Sequence, residues 1–317
     1  LISVFFSSTF MQEEREAPRI LAYTTYLLSL AVFGILGVLA RYGLKILFGP
    51  KVVGLTDDKS ILYPDLPANV VGSFLMGWFG LVFKGDISEI SDQLAIGLTT
   101  GFLGSLTTFS GWNQSALILS SEGQWSFAVL CMLVGFMLAV SSIILGVWTA
   151  RAFKFRVSNR RPSKLLTSWN KLNRLVTFSL TLLILLVLLW GAFAALTGMR
   201  LTKGNDGELY VGCLAGPFGV VLRWYLARLN GLGLGRRGRL KWVPFGTLAA
   251  NVLAASAMAA LAAAIEREAA GMRTFGTVAG GLQLGLMGCL STVSTLMAEV
   301  YAMGESLHPS RSVYYGA

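Results

Sequence analysis

Eight stretches of the chain contain no charged residue and are rich in Leu, Val, Ala, Gly and Phe: 20–40, 66–83, 93–121, 123–150, 175–199, 209–222, 242–265 and 274–298. A helix needs about 20 apolar residues to cross a hydrocarbon core of roughly 30 Å. All but one of the runs meet or approach that length. The run 209–222 is short, and it spans only if Arg223 lies inside the helix, which then continues to about Leu229. The pattern predicts an all-α polytopic membrane protein.

The charges between the runs orient them. Arg151, Lys154, Arg156, Arg160, Arg161, Lys164, Lys171 and Arg174 follow the fourth span, and Arg236, Arg237, Arg239 and Lys241 follow the sixth. Lysine and arginine mark cytoplasmic loops. Two spans separate these loops and return the chain to the same side, so the assignments agree and the N-terminus is cytoplasmic. Asp57 and Asp58, with the mixed-charge loops around Asp206 and Glu266, then fall outside. The net-acidic loop 84–92, placed inside, gives no support. Residues 1–19 carry Glu13, Glu14 and Glu16, which break the order of a signal peptide; they are read as a lead-in.

Composition narrows the picture. Of 317 residues, 54% are hydrophobic and 13% charged, against about 25% charged in soluble domains, and mean hydropathy is +0.65. The formal charge of +10 sits mainly between spans, as membrane topology requires, so no nucleic-acid partner follows from it. Cys131, Cys213 and Cys289 lie in apolar runs and share no ligand spacing with His308, the single histidine. No disulfide framework, zinc site or nucleophile–base pair is readable. Gly231-Leu-Gly-Leu-Gly-Arg has no strand before it and reads as a basic turn, and the sequon Asn113-Gln-Ser115 lies inside a span.

The runs fall into two copies. Residues 33–44 match 215–226 at an offset of 182, with Gly34/Gly216, Gly37/Gly219, Val38/Val220, Arg41/Arg223 and Leu44/Leu226 identical. The same offset sets Ala68-Asn69-Val70 on Ala250-Asn251-Val252. At 184, Gly101, Gly104, Leu106, Thr108 and Ser110 meet Gly285, Gly288, Leu290, Thr292 and Ser294. An arginine and an asparagine recurring in register inside spans are not chance matches among apolar residues. The organisation read from this is a lead-in (1–19), a first four-span repeat (20–150), a basic cytoplasmic segment (151–174), a linker span (175–200) and a second repeat (201–317). Four spans return the chain to its starting side, so the single linker span inverts the second copy. Three spans of that copy are visible, and a ninth is expected in the natural protein. Inverted repeats place a functional site at their interface near the midplane.

Three features of the repeat carry chemistry. Arg41 and Arg223 sit among apolar residues, where a charge costs about 2.5–3.5 kcal/mol on insertion scales; they are either anion attractors at a vestibule or snorkelling or structural groups that bond helix ends. Asn69 and Asn251 each offer two N–H donors, either to a pore or to an interhelical hydrogen bond. In Gly101-Phe-Leu-Gly-Ser-Leu-Thr-Thr-Phe-Ser-Gly-Trp-Asn113, glycines weaken the helix and Thr107, Thr108 and Ser110 can satisfy freed backbone groups, so the third helix is expected to break. Phe109 and Trp112, three apart, share one face, and the positive edges of aromatic rings suit a small anion.

Together Gly34-x-x-Gly37-x-x-x-Arg41-Tyr42, Asn69-Val-Val-Gly72-Ser73-Phe74 and Gly101-Phe-Leu-Gly104-Ser-Leu-Thr107-Thr108-Phe109-Ser110 resemble the Fluc/FEX fluoride channels, also called CrcB, and the two-copy layout resembles their eukaryotic FEX branch. The resemblance implies passive fluoride export with no enzymatic step, by a protein that works as a monomer in the plasma membrane because its repeats replace a dimer. It implies a fluoride path through Asn69, Thr108, Phe109, Ser110, Trp112, Asn251 and Ser294, vestibule arginines at Arg41 and Arg223, and a structural Na⁺ held by backbone carbonyls of Gly104, Thr107, Gly288 and Ser291. Trp112 replaces a phenylalanine of the family, Val293 and Leu296 stand at both aromatic positions of the second copy, and Ala254-Ala255 replaces Gly72-Ser73. One competent pore is expected. The alternative is an ion-coupled transporter of a small anion that rocks around a midplane site; it would want an acidic residue in a span, and Glu299 only ends the eighth. A structural membrane protein is the third reading.

Overall fold

The computed structural model describes residues 19–157, 171–201, 206–233, 240–267 and 273–316. Residues 1–18 of the lead-in and half of the twelve basic residues used to orient the chain, Arg160, Arg161, Lys164, Arg236, Arg237 and Arg239, lie outside the described residues. The first copy comprises α1 (Arg19–Phe48), α2 (Leu66–Met76), α3 (Lys84–Ile90), α4 (Asp92–Ile96), α5 (Gly104–Leu106), α6 (Phe109–Ser121) and α7 (Trp125–Val157). The linker is α8 (Lys171–Arg200). The second copy comprises α9 (Gly207–Leu226), α10 (Phe245–Arg267), α11 (Arg273–Leu282), α12 (Gly288–Leu290), α13 (Ser294–Gly304) and α14 (Ser310–Gly316). Among the described residues there is no strand.

Among the described residues, six helical segments are long and apolar enough to cross a membrane, and the bent pair Leu66–Val82 and Lys84–Ile90, angled at 64°, makes a seventh candidate. The expected short sixth span is helical through Leu226 and continues as a 3₁₀ turn, Ala227–Leu229, with Arg223 inside it. α1 runs past Arg41 to Phe48, beyond the uncharged run, because Arg41 finds protein carbonyls rather than lipid.

Among the described residues, one apolar cluster lies where α1 and α9 cross. Leu30, Ile35, Val38, Cys213, Val220 and Cys289 are sealed there. Close approach depends on glycine: a Cβ at Gly37 would stand 2.6 Å from the carbonyl oxygen of Phe102, and one at Gly219 would collide with that of Leu286. Small residues let membrane helices meet backbone to backbone. The linker α8 packs on α1 and α9, where Thr25 and Ser179 share a hydrogen bond of 2.5 Å, and it leaves Leu183, Ile184, Val187 and Leu188 exposed on the lipid side.

Candidate functional site

Both third helices break, and the two breaks meet. In copy one the helix loosens to a π-turn, Gly97–Leu103, and after α5 the backbone goes extended at Thr107 (φ −96°, ψ 147°) and Thr108 (φ −141°, ψ 125°) before α6 restarts. In copy two a π-turn, Gln283–Met287, precedes α12, and Ser291 is extended (φ −85°, ψ 161°). A break exposes carbonyls on one side and N–H groups on the other, and burial demands partners for both.

The partners come crosswise. Thr107 Oγ1 accepts from Ser294 N at 3.1 Å, so copy one caps α13 of copy two. Ser291 Oγ accepts from Ser110 N at 3.0 Å, so copy two caps α6 of copy one. Ser294 Oγ donates to the carbonyl of Leu103 at 3.2 Å and Ser110 Oγ to that of Met287 at 3.3 Å. A hydroxyl cap is worth about 0.5–2 kcal/mol. Here it also fastens the two copies together.

The asparagines hold the broken backbone itself. Asn69 Oδ1 accepts from Thr108 N at 2.8 Å and Nδ2 donates to Thr108 O at 3.1 Å. Asn251 does the same to Thr292, at 2.8 and 3.1 Å. A carboxamide presents the donor and acceptor pair of a peptide group, so it replaces the helical bonds that the extended residue gives up.

The arginines, which the resemblance puts at vestibules and the residues alone leave as either vestibule groups or binders of helix ends, are buried inside the protein. Arg41 is 1% exposed and donates from Nη1 to Gly288 O at 2.9 Å and from Nη2 to Leu284 O. Arg223 is 4% exposed and donates from Nε to Cys289 O at 2.7 Å and from Nη2 to Thr100 O at 2.9 Å. The carbonyls freed by the π-turns and breaks are what these guanidiniums bind. Gly104 and Gly288 are required beside them, since a Cβ at either would run into the arginine of the opposite copy.

Phe109 is half-buried and meets the Trp112 ring edge-on, with centroids 5.8 Å apart and planes at 81°. Trp112 is buried, donates Nε1–H to Cys131 O at 3.1 Å and stacks on Tyr63 at 6.1 Å. Tyr63 Oη in turn accepts from Asn69 Nδ2 at 2.9 Å. Nothing in the spans flagged Tyr63, which precedes α2; the offset of 182, carried six residues before each asparagine, sets it against Phe245. At the corresponding place in copy two, Val293 is fully buried in the apolar cluster that also holds Tyr63 and Trp112, and Leu296, like Phe109, packs against that cluster.

A second polar cluster went unnoticed in the sequence. Glu299 Oε1 accepts from Thr247 Oγ1 at 2.6 Å, Asn230 Nδ2 lies at 3.4 Å from the same oxygen, and Tyr315 donates to Oε2 at 2.8 Å. Glu299 belongs to α13, within the span Thr274–Gly304, rather than marking its end.

The donor set at the centre suits a hard cation in part. None of the hydrogen bonds that tie the breaks together ends on the carbonyl oxygen of Thr107 or Ser291, and oxygen ligands fit such an ion. Gly104 and Gly288 face guanidiniums instead. No group of three His, Cys, Asp or Glu side chains among the described residues could hold a metal.

A family model described as CrcB-like protein, Camphor Resistance (CrcB) matches residues 28–147 and 210–317. The chain is 36% identical over 125 residues to the "Fluoride-specific ion channel FluC" of Geobacter metallireducens, covering 39% of this chain and 96% of that relative. It is also 36% identical over 122 residues to the protein of the same description in Shewanella frigidimarina, covering 38% and 93%. No solved structure matches. Each region of the family match carries one arginine, one asparagine and one broken helix of the central assembly, and the chain belongs to the CrcB family as a two-repeat member.

Proposed function

We propose that this protein is a fluoride-specific channel that lets F⁻ cross the membrane passively through one competent pore, the one lined by Phe109. Membership of the CrcB family and its similarity to proteins described as fluoride-specific ion channels support the fluoride reading over coupled transport. The observation that carries the single pore is the contrast between Phe109, half-buried with its ring against Trp112, and Val293, which has no quadrupole and is sealed in the core. Fluoride leaves its water only where donors and ring edges replace it. Thr108, Ser110 and Ser294 line the approach, and the asparagines set its backbone.

The central breaks bring helix ends of both signs together. The carbonyl ends of α5 and α12 suit a cation and the N-termini of α6 and α13 suit an anion. A structural Na⁺ would be held by the carbonyls of Thr107 and Ser291, where it supplies fixed positive charge near the midplane, while Gly104 and Gly288 form the weaker half of that set. The chain would work as a monomer in the plasma membrane with its N-terminus in the cytoplasm. Labels at Arg160 and Arg237 should react from the same face.

Purified protein in liposomes tests the function. With a potassium shunt and outward fluoride gradient, fast efflux is expected that needs no second ion; efflux that stops when a co-ion gradient is removed would favour a coupled transporter, and no efflux would end the reading.

A further inference from the structure

The amide of Asn69 has no hydrogen left to give. A primary amide carries two N–H donors, and here one goes to Thr108 O at 3.1 Å and the other to Tyr63 Oη at 2.9 Å. The amide oxygen is taken by Thr108 N at 2.8 Å. Any anion reaching this point must find its hydrogen elsewhere.

Tyr63 has one. Its oxygen accepts from Asn69, so its own hydrogen must point away from that bond, and it meets no acceptor among the described residues. The ring is 1% exposed and lies against Trp112 with planes 13° apart, and Trp112 leads edge-on to Phe109. Burial pushes the phenol above its ordinary range, so it keeps this hydrogen at neutral pH. A phenol O–H is also a more acidic donor than a carboxamide N–H, and bonds to an ionised acceptor are roughly twice as strong as neutral ones.

We propose that the Tyr63 hydroxyl is the donor that meets fluoride beside Phe109, and that Asn69 is a positioning residue that holds Oη and turns its hydrogen toward the path. This rests on the fluoride-channel reading. Copy two lacks the device: Phe245 stands where Tyr63 does, and Asn251 clamps Thr292 with one N–H and has no tyrosine to hold with the other.

The test is initial fluoride efflux from liposomes at a series of internal fluoride concentrations, with the full chain. Tyr63→Phe should lower the maximal rate at least tenfold while size-exclusion behaviour stays that of wild type. The competing assignment gives the opposite result, because removing Oη frees an N–H of Asn69; efflux within twofold of wild type therefore overturns the proposal. If Tyr63→Phe does not fold, 3-fluorotyrosine placed at position 63 decides the matter. It keeps the ring and the oxygen and strengthens the donor, so the half-saturating fluoride concentration should shift at least twofold, whereas a purely structural tyrosine would leave it unmoved. Wild-type protein that conducts while both variants match it sinks only the role of Tyr63. Wild-type protein that does not conduct removes the channel reading and this proposal with it.

Discussion

In copy one Asn69 grips Thr108 at 2.8 and 3.1 Å, and in copy two Asn251 grips Thr292 at the same two distances. The crosswise caps agree as closely, at 3.1 Å from Thr107 and 3.0 Å from Ser291. Around these shared parts the copies diverge. Copy one surrounds its clamp with Tyr63, Phe109 and Trp112; copy two has Phe245, Val293 and Leu296. The acidic groups differ too. Asp65 and Ser115 of copy one correspond to Thr247 and Glu299 of copy two, so the carboxylate has moved from the start of the second helix to the third. Gly111 accompanies that move, since a Cβ there would collide with Asp65 Oδ2, whereas at the corresponding positions copy two has Thr295 and the shorter Thr247. Residues that hold the two breaks together cannot change in one copy without loosening the other, because each cap serves the opposite repeat. Residues that line a path can change in one copy as long as the other still conducts.

The largest effect expected from this contrast is on conduction. Phe109→Ile should abolish fluoride efflux from liposomes, while Val293→Ile should leave it within about twofold, because one methylene added in a buried site acts on packing rather than on the path. Equal loss from both would mean two working pores.

Next comes the acidic pair. Gly111→Thr should destabilise the protein by about 1–3 kcal/mol through overpacking, read as a lowered melting temperature, and adding Asp65→Thr should recover most of it. Failure of the second change to rescue would show that Gly111 answers to something other than Asp65.

The clamps test the shared part. Asn69→Ala and Asn251→Ala each leave a buried N–H and C=O without partners, at about 1–3 kcal/mol per group, so both should lower stability, Asn69→Ala the more because it also takes the partner of Tyr63 Oη. Their fluoride efflux, measured on the folded fraction, should differ severalfold. Two variants that match in both readouts would erase the proposed division between scaffold and path.

The smallest effects belong to the caps. Thr107→Val and Ser291→Ala should each cost about 0.5–2 kcal/mol, and sodium should protect the wild type against heat more than either variant. Protection that is the same with potassium as with sodium would remove the cation from the centre.

The apolar runs, the recurring Arg41/Arg223 and Asn69/Asn251, and the glycines before Thr107 were enough to give the helical class, the repeat and the break, because each follows from local rules: charge exclusion from lipid, period, and weak helix formers in sequence. Even the helical sixth span through Arg223 was legible from the length that a bilayer demands. What the chain by itself left open was the use of its polar groups. Arginines that could serve a vestibule or a helix end are bound to carbonyls in the interior, and that choice depends on where the π-turns of the other copy place Leu284, Gly288 and Thr100. Tyr63 and Glu299 carry no signal of their own, lying before one span and near the end of another. They become part of a site only when folding brings Asn69 and Thr247 to them. Sequence fixes which groups cannot face lipid; partners brought close by folding, as Gly288 is to Arg41 across 247 positions, decide what each of those groups bonds, because a hydrogen bond is settled by distance in space and not by position along the chain.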